Sequence, residues 1–294
     1  MSDIEKKNSS EQKNEITYDW NFLEYPEIAQ LNLTKAEFKK HYFTIKEIIE
    51  ENELCRAIQG QQCINKNNLH TCLKRDDDNK LITSFVVCPK NIKIDKIKNN
   101  YILRDFPNEL LSIELSTKFF SKILPKNKSI LLKNFLILIE KNNFQHGFFI
   151  YGDNGIGKTY SCIAFANALA LKEKKIAFVF MTELLLKLKN GFNTFNANQE
   201  LIDNIKKSDV LFLDDFGANH KNFWFYDEYI LTILDYRMQN KKPTFFTSNY
   251  SLKELQKKLS SNTNDWISVK RIIERVRALV ENNEIEIKDK NYRY

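Results

Sequence analysis

The run Gly152-Asp-Asn-Gly-Ile-Gly-Lys-Thr-Tyr160 holds the residues best suited to chemistry in this 294-residue chain. A glycine, four residues, then Gly157-Lys158-Thr159 is the spacing of a phosphate-binding loop. Gly152, Gly155 and Gly157 permit backbone angles and close approaches that a side chain would block. The loop can then aim backbone N–H groups at phosphate oxygens, at the positive end of the helix that follows. The candidate nucleotide contacts are Gly152, Asp153, Asn154, Gly155, Ile156, Gly157, Lys158, Thr159 and Tyr160. Lys158 offers a point charge to the β and γ phosphates, and the Thr159 hydroxyl offers a ligand to Mg²⁺. Asp214 and Asp215 end an apolar run downstream. A carboxylate at a strand's carboxyl end faces the crevice where phosphates sit. There Asp214 would hold Mg²⁺, directly or through water, and Asp215 would orient and polarise the attacking water. Adjacent acids can instead make a solvated turn, but the phosphate loop upstream favours the site. Asn249 closes another apolar run. Its amide can position water near the γ phosphate, or simply cap a helix.

The elements that must position these groups alternate. Gly147–Tyr151 reads as a buried strand and Tyr160–Leu171 as a helix. Lys175–Met181 is a near-continuous apolar run, as a parallel strand covered on both faces should be. Thr182 is placed to cap a helix, and Asn193–Asn198 reads as a loop. Ser208–Gly217, which contains the two acids, and Pro243–Asn249 are further strands, with a helix over Phe225–Gln239 between them. Ser251 caps a helix, Trp266–Val280 is the last long one, and Glu284–Lys288 is a short final strand. This alternation predicts an α/β fold with a parallel sheet flanked by helices. Upstream, Trp20–Asn52 carries apolar residues at helical spacing, with Thr34 and Glu37 spaced as a capping box. Leu81–Val87 reads as a strand and Asn99–Asn108 as a linker. Leu110–Phe144 should hold two helices broken at Pro125.

Hydrophobic residues make up 43% and charged residues 28% of the chain, which fits a globular protein rather than a fibrous or disordered one. No apolar run is long enough to cross a bilayer, and the polar stretch Met1–Asn14 does not read as a secretory signal. A cytoplasmic location is expected. The net charge of +7 permits contact with nucleic acid without establishing it. Lys90, Lys93, Lys96 and Lys98 form a charge run, which usually marks a solvated face. Four cysteines, Cys55, Cys63, Cys72 and Cys88, lie together with His70 among them. Thiolates plus imidazole suit a tetrahedral Zn²⁺ site. The spacing lacks a C-x-x-C knuckle, and ordinary buried thiols explain it equally well. Cys162, in the helix after the phosphate loop, reads as core.

With these residues in hand, the chain resembles the bacterial replicative helicase loaders of the DnaI/DnaC kind, primosomal proteins within the AAA+ ATPases. The resemblance rests on Tyr151–Tyr160, Leu213–Ala218, Ile233-Leu-Asp-Tyr-Arg-Met238 and Pro243–Asn249, and covers Phe144 to the C-terminus. It implies an AAA+ ATPase domain over 144–294, a helical linker over 106–143 and a helicase-binding domain over 1–105. It also implies a sensor strand between the two Walker strands, bringing Asn249 beside Asp214 and Asp215. Arg275, with Arg271 second, resembles the finger that completes a neighbour's ATP site, and Arg293 resembles a second sensor acting in cis. Cys55, Cys63, His70 and Cys88 follow the order of the zinc-binding module of one branch, with Cys72 as a thiol that could replace His70. The implied function is Mg²⁺- and ATP-dependent delivery of a hexameric replicative helicase onto single-stranded DNA, with self-association through the ATPase domain and no membrane partner. A transposition-helper ATPase and a nucleotide-gated adaptor with negligible turnover are the rival readings.

Overall fold

The computed structural model describes residues 16–57, 63, 65, 69–115, 126–141, 144–190, 195–281 and 283–288. It divides into two compact units, Met1–Asn91 and Ile92–Tyr294.

In the first unit the capping box forms as its spacing predicts. Thr34 accepts from the Glu37 N–H, Glu37 accepts from the Thr34 N–H, and the helix Lys35–Lys40 starts there. The helix Tyr42–Ala57 follows. Its Tyr42, Ile45, Ile48 and Ile49 pack with Ile28, Phe38 and Leu73 into a small core. β1 (Leu69–Arg75) and β2 (Leu81–Val87) make an antiparallel hairpin, with Cys72 opposite Ser84. β1 is not apparent in the sequence, because Leu-His-Thr-Cys-Leu-Lys-Arg alternates poorly. Its turn is held by Asp76, whose carboxylate accepts from the N–H groups of Asp78 and Lys80. The helix Pro89–Lys98, which carries the lysine run, begins here and continues into the second unit.

The second unit is a six-stranded sheet in the order β3-β5-β6-β7-β4-β8. Its strands are β3 (Tyr101–Arg104), β4 (Phe149–Tyr151), β5 (Ile176–Phe180), β6 (Val210–Asp214), β7 (Thr244–Ser248) and β8 (Glu284–Glu286). Every pairing is parallel. Successive side chains on a strand point to opposite faces, and here both faces are covered. Ala177, Val179, Leu211, Leu213, Phe149 and Phe246 pack with the helices Met181–Asn190, Leu231–Gln239, Leu252–Ser260 and Trp266–Val280. Ile176, Phe178, Val210, Phe212, Ile150 and Phe245 pack with the helix Lys158–Leu171 and with Leu131 and Phe135 of the helix Lys126–Lys141. The ring of Phe135 stacks on Phe165 with centroids 4.2 Å apart.

Other observed elements also depart from the sequence reading. Tyr101–Arg104, expected in a linker and at the end of a 1–105 domain, is an edge strand of the sheet. Its signal was weak because it is short and partly exposed. The stretch expected to act as a helical linker, 106–143, supplies Phe106, Leu111, Ile113, Leu131 and Phe135 to the core. Phe195–Lys207 is helical, which converts part of the expected Asn193–Asn198 loop. Thr182 lies inside the helix Met181–Asn190, which starts directly at the end of β5 and so leaves it no capping role. Pro125, expected to break the helical stretch, falls outside the described residues.

Candidate nucleotide site and cysteine–histidine cluster

The strand order sets the site. β7 lies between β4 and β6, and the carboxyl ends of all three point the same way. The loop after β4, the acids ending β6 and the residues ending β7 therefore meet in one crevice, where open parallel sheets bind ligands.

The glycines of the loop are used. Gly152 has φ 146°, Gly155 φ 79° and Gly157 φ 88°. A Cβ on Gly152 would sit 2.2 Å from the Ile287 carbonyl oxygen. Gly157 in the left-handed region opens the helix Lys158–Leu171, so that helix presents its N-terminus to the loop. Ile156 is buried and pins the loop to the core, while Asp153 and Asn154 are exposed and Tyr160 is half-exposed. Lys158 is buried, and its Nζ donates to the carbonyls of Gly152 at 2.8 Å and Asp153 at 2.9 Å and to Asn249 Oδ1 at 2.9 Å. These acceptors hold the ammonium in the crevice.

Asp214 is buried at the end of β6. The Thr159 hydroxyl donates to its Oδ2 at 3.0 Å, and the Thr247 hydroxyl donates to its Oδ1 at 2.6 Å. Burial pushes the Asp214 carboxyl up to about 6, against the pull of the Thr247 and Thr159 hydrogen bonds. A carboxylate and a hydroxyl side by side at the mouth of a phosphate loop form an oxygen donor set that suits Mg²⁺. Asp215 stands at φ 56°, an unusual angle for a residue other than glycine. The sequence reading therefore finds Lys158, Thr159, Asp214, Asp215 and Asn249 gathered at one crevice. It missed Thr247, whose signal is a hydroxyl in a strand buried along its whole length.

Arg275 lies elsewhere, on the helix Trp266–Val280, with its Nε donating to the Asp235 carboxylate. Its terminal amino groups make no hydrogen bond among the described residues. Arg271, on the same helix, is exposed. Arg293 lies outside the described residues.

In the first unit Cys55, Cys63 and Cys88 form a buried cluster. Cys55 Sγ and Cys88 Sγ are 3.8 Å apart, and Cys63 Sγ is 3.1 Å from His70 Nε2. Ligand atoms of Cys55, His70 and Cys88 all lie within 4.8 Å of one another. Two sulfurs bound tetrahedrally at about 2.3 Å to one zinc ion stand roughly 3.8 Å apart, so the thiol spacing fits the metal. His70 Nδ1 lies 3.1 Å from Asn52 Oδ1 and can donate to it, which leaves Nε2 as the ligand nitrogen. Burial pushes the Cys63 thiol up. At Cys88 burial acts the same way, but the N–H groups of Lys90 and Asn91 together with the Cys55 and Cys63 thiols outweigh it and bring the thiol down. His70 rather than Cys72 joins the cluster, and Cys72 is only partly buried. Cys162 is a fully buried core residue.

Comparison with known proteins agrees with this geometry. The family described as IstB-like ATP binding protein matches residues 136–294. The chain is similar to the replicative helicase loader DnaI of Bacillus subtilis, at 32% identity over 58% of this chain and 56% of that one. It is also similar to the replicative helicase loader DnaC of Escherichia coli, at 26% identity over 40% of this chain and 48% of that one. It thus spans about half the length of the curated relatives it matches. A crystal structure of DnaI superposes with a TM-score of 0.57 at 31% identity, over 67% of this chain and 98% of that one. The fold is that of an AAA+ P-loop ATPase, and the loader resemblance read from the motifs holds. No helix among the described residues is long and apolar enough to cross a membrane.

Proposed function

This chain belongs to the family of IstB-like ATP binding proteins, and from that premise we propose that it is an ATP-dependent loader of a hexameric replicative DNA helicase onto single-stranded DNA. The observation that carries the reading is the 32% identity to a replicative helicase loader, combined with a phosphate loop already gathered with its acids.

In this reading Lys158 leaves its carbonyl partners for the β and γ phosphate oxygens. Thr159 and Asp214 would hold Mg²⁺, which when bound would supply neutralising charge at the phosphates. Asp215 polarises the attacking water and Asn249 orients it. Arg275 carries a terminal fork that makes no hydrogen bond among the described residues and a shaft tied to Asp235, and it reaches the ATP site of a neighbouring subunit. Arg293 acts within its own subunit. Self-association through the ATPase unit follows from the Arg275 role. The first unit contacts the helicase, with Cys55, Cys63, His70 and Cys88 holding a structural zinc ion that crosslinks its helix, loop and hairpin. That cluster favours a loader over a transposition helper, which has no need of such a module.

Size-exclusion chromatography of the full chain with the replicative helicase of the same cell, with and without ATP, tests the reading. Co-elution is the expected result. Separate elution under every nucleotide condition would remove the helicase as partner while leaving the ATPase standing. Concentration-dependent turnover that Arg275→Ala abolishes is expected as well. A wild-type protein that binds ATP yet turns over none, even with helicase and single-stranded DNA, would make it a nucleotide-gated adaptor.

A further inference from the structure

Thr247 and Ser248, which end β7, and Asn249, which follows it, each touch a different part of the crevice. Asn249 meets Lys158 at 2.9 Å, and Ser248 Oγ donates to the Phe216 carbonyl at 2.6 Å. Thr247 differs from both in bonding to the two acids. It is 2% exposed. Its hydroxyl hydrogen goes to Asp214 Oδ1 at 2.6 Å, and its oxygen accepts the Asp215 N–H at 3.0 Å. Its carbonyl accepts the Phe216 N–H at 2.7 Å. One residue of β7 therefore fixes three consecutive residues at the end of β6.

The consequences differ for the two acids. Asp214 has one oxygen held by Thr159, the hydroxyl that Mg²⁺ would also claim, and the other held by Thr247. When Thr159 turns to a metal, the Thr247 bond alone fixes the rotation of the carboxylate. Asp215 sits at φ 56°, where a residue with a Cβ is strained. The bonds from its own N–H and from that of Phe216 to Thr247 oppose a flip of this peptide to the extended region.

We propose that Thr247 is a positioning residue for the ATPase reaction: its hydroxyl aims the Asp214 carboxylate at Mg²⁺ and locks the backbone turn that presents Asp215. The proposal rests on the ATP-site reading above and gives a role to a residue inside the Pro243–Asn249 stretch to which the sequence reading assigned none. The hydroxyl is the working part and the rest of the side chain is filler. Thr247→Val keeps the volume and removes the hydroxyl, whereas Thr247→Ser keeps the hydroxyl.

The test uses the full chain and two readouts, the affinity for a fluorescent ATP analogue with and without Mg²⁺, and steady-state turnover. Partners that orient a metal ligand are typically worth about 10–100-fold in metal affinity or activity. Thr247→Val is therefore expected to lower kcat by about 10–100-fold and to lose most of the Mg²⁺-dependent gain in analogue affinity. Its affinity without Mg²⁺ should stay within about threefold of wild type, which also reports an intact phosphate loop. Thr247→Ser should recover both properties. Wild-type Mg²⁺ dependence in Thr247→Val, or equal loss in both variants, would overturn the proposal by making the residue neutral or merely a packing element. A wild-type chain that binds the analogue but hydrolyses nothing would remove the ATPase reading, and the Mg²⁺-dependent affinity would still decide the role of Thr247. A wild-type chain that binds no analogue would take down the ATP site and the proposal together.

Discussion

Each unit gathers reactive side chains in a buried cluster, but by different means. In the first, Cys55 comes from the last turn of a helix, Cys63 from a loop, His70 from β1 and Cys88 from the residue ahead of the next helix. The core beside them is small, seven residues from Ile28 to Leu73. In the second, the site residues sit at the carboxyl ends of neighbouring strands in a sheet covered on both faces. A metal would organise the first cluster. The second is organised by the fold before any ligand arrives. Losing a group from the first should therefore cost structure, and losing one from the second should cost chemistry.

The largest effect expected is metal removal. A structural zinc site contributes on the order of 10 kcal/mol to folding of a small domain. Stripping the metal with a chelator, or Cys88→Ser, should unfold Met1–Asn91 and leave the sheet folded, read as selective proteolysis of the first unit. Metal analysis showing none bound, with that unit still folded, would end the zinc reading and erase the contrast. Next is Lys158→Ala. Turnover should fall by more than about 100-fold, the scale for removing a group that meets transition-state charge. The thermal midpoint of the ATPase unit should barely move. Unchanged ATP affinity and turnover would sink the phosphate-loop assignment.

Smaller, and on the side of structure within the second unit, is Arg237. This guanidinium is fully buried, and burial brings it down to about 9. It donates to the carbonyls of Ile205, Lys206, Ser208 and Pro243 and to the Thr244 hydroxyl, tying the end of one helix to the starts of β6 and β7. Arg237→Met leaves those acceptors unsatisfied and should destabilise the unit by about 3–5 kcal/mol in urea unfolding, with ATP affinity retained below the transition. A neutral result would mean that water replaces the guanidinium.

The ATPase half was the more legible in sequence, for the same physical reason. A doubly covered parallel sheet writes itself as apolar runs, and the helix Trp266–Val280 keeps its predicted ends because Asp265 caps its start and Glu281, in the left-handed region, closes it. The edge strand Tyr101–Arg104 escaped, being half solvated. Thr247 escaped because motif spacing marks residues that touch ligands and not those that aim them. Arg275 was legible as a type at a place, whereas its tie to Asp235 depends on a helix forty residues away in sequence. In the first unit, cysteine spacing alone left ordinary thiols open. The 3.8 Å approach of Cys55 and Cys88 came only with the fold.

Two carboxylates carry the same contrast into pH. Asp214 lies at about 6 in the folded chain against an ordinary 3.8, so the folded state holds its proton more tightly. Its cost is absent below about pH 4, grows as pH rises to 6, and is constant above. Asp214→Asn should therefore be the more stable protein at neutral pH without Mg²⁺, by about 2–3 kcal/mol, with the gap closing in acid. An equal gap at both pH values would mean that something other than the buried charge separates the two proteins.

Glu37 in the first unit runs the other way and should give the smallest effect. Arg75 beside it, with the Thr34 N–H and hydroxyl, holds its carboxyl at about 2 against an ordinary 4.5. Its contribution is complete above pH 4.5 and is lost as pH falls toward 2. The pair is still about a quarter exposed to solvent, which keeps it weak. Glu37→Gln preserves the capping box, since glutamine can fill the same place, and removes only the charge. The midpoint of the first unit should drop slightly at neutral pH, and the difference from wild type should shrink below pH 4.5. Metal loss in acid strikes both proteins alike, so the difference isolates the ion pair. A difference that stayed flat from pH 6 to 3.5 would show that Arg75 does not hold Glu37 ionised, and that the first unit draws nothing from it beyond the cap.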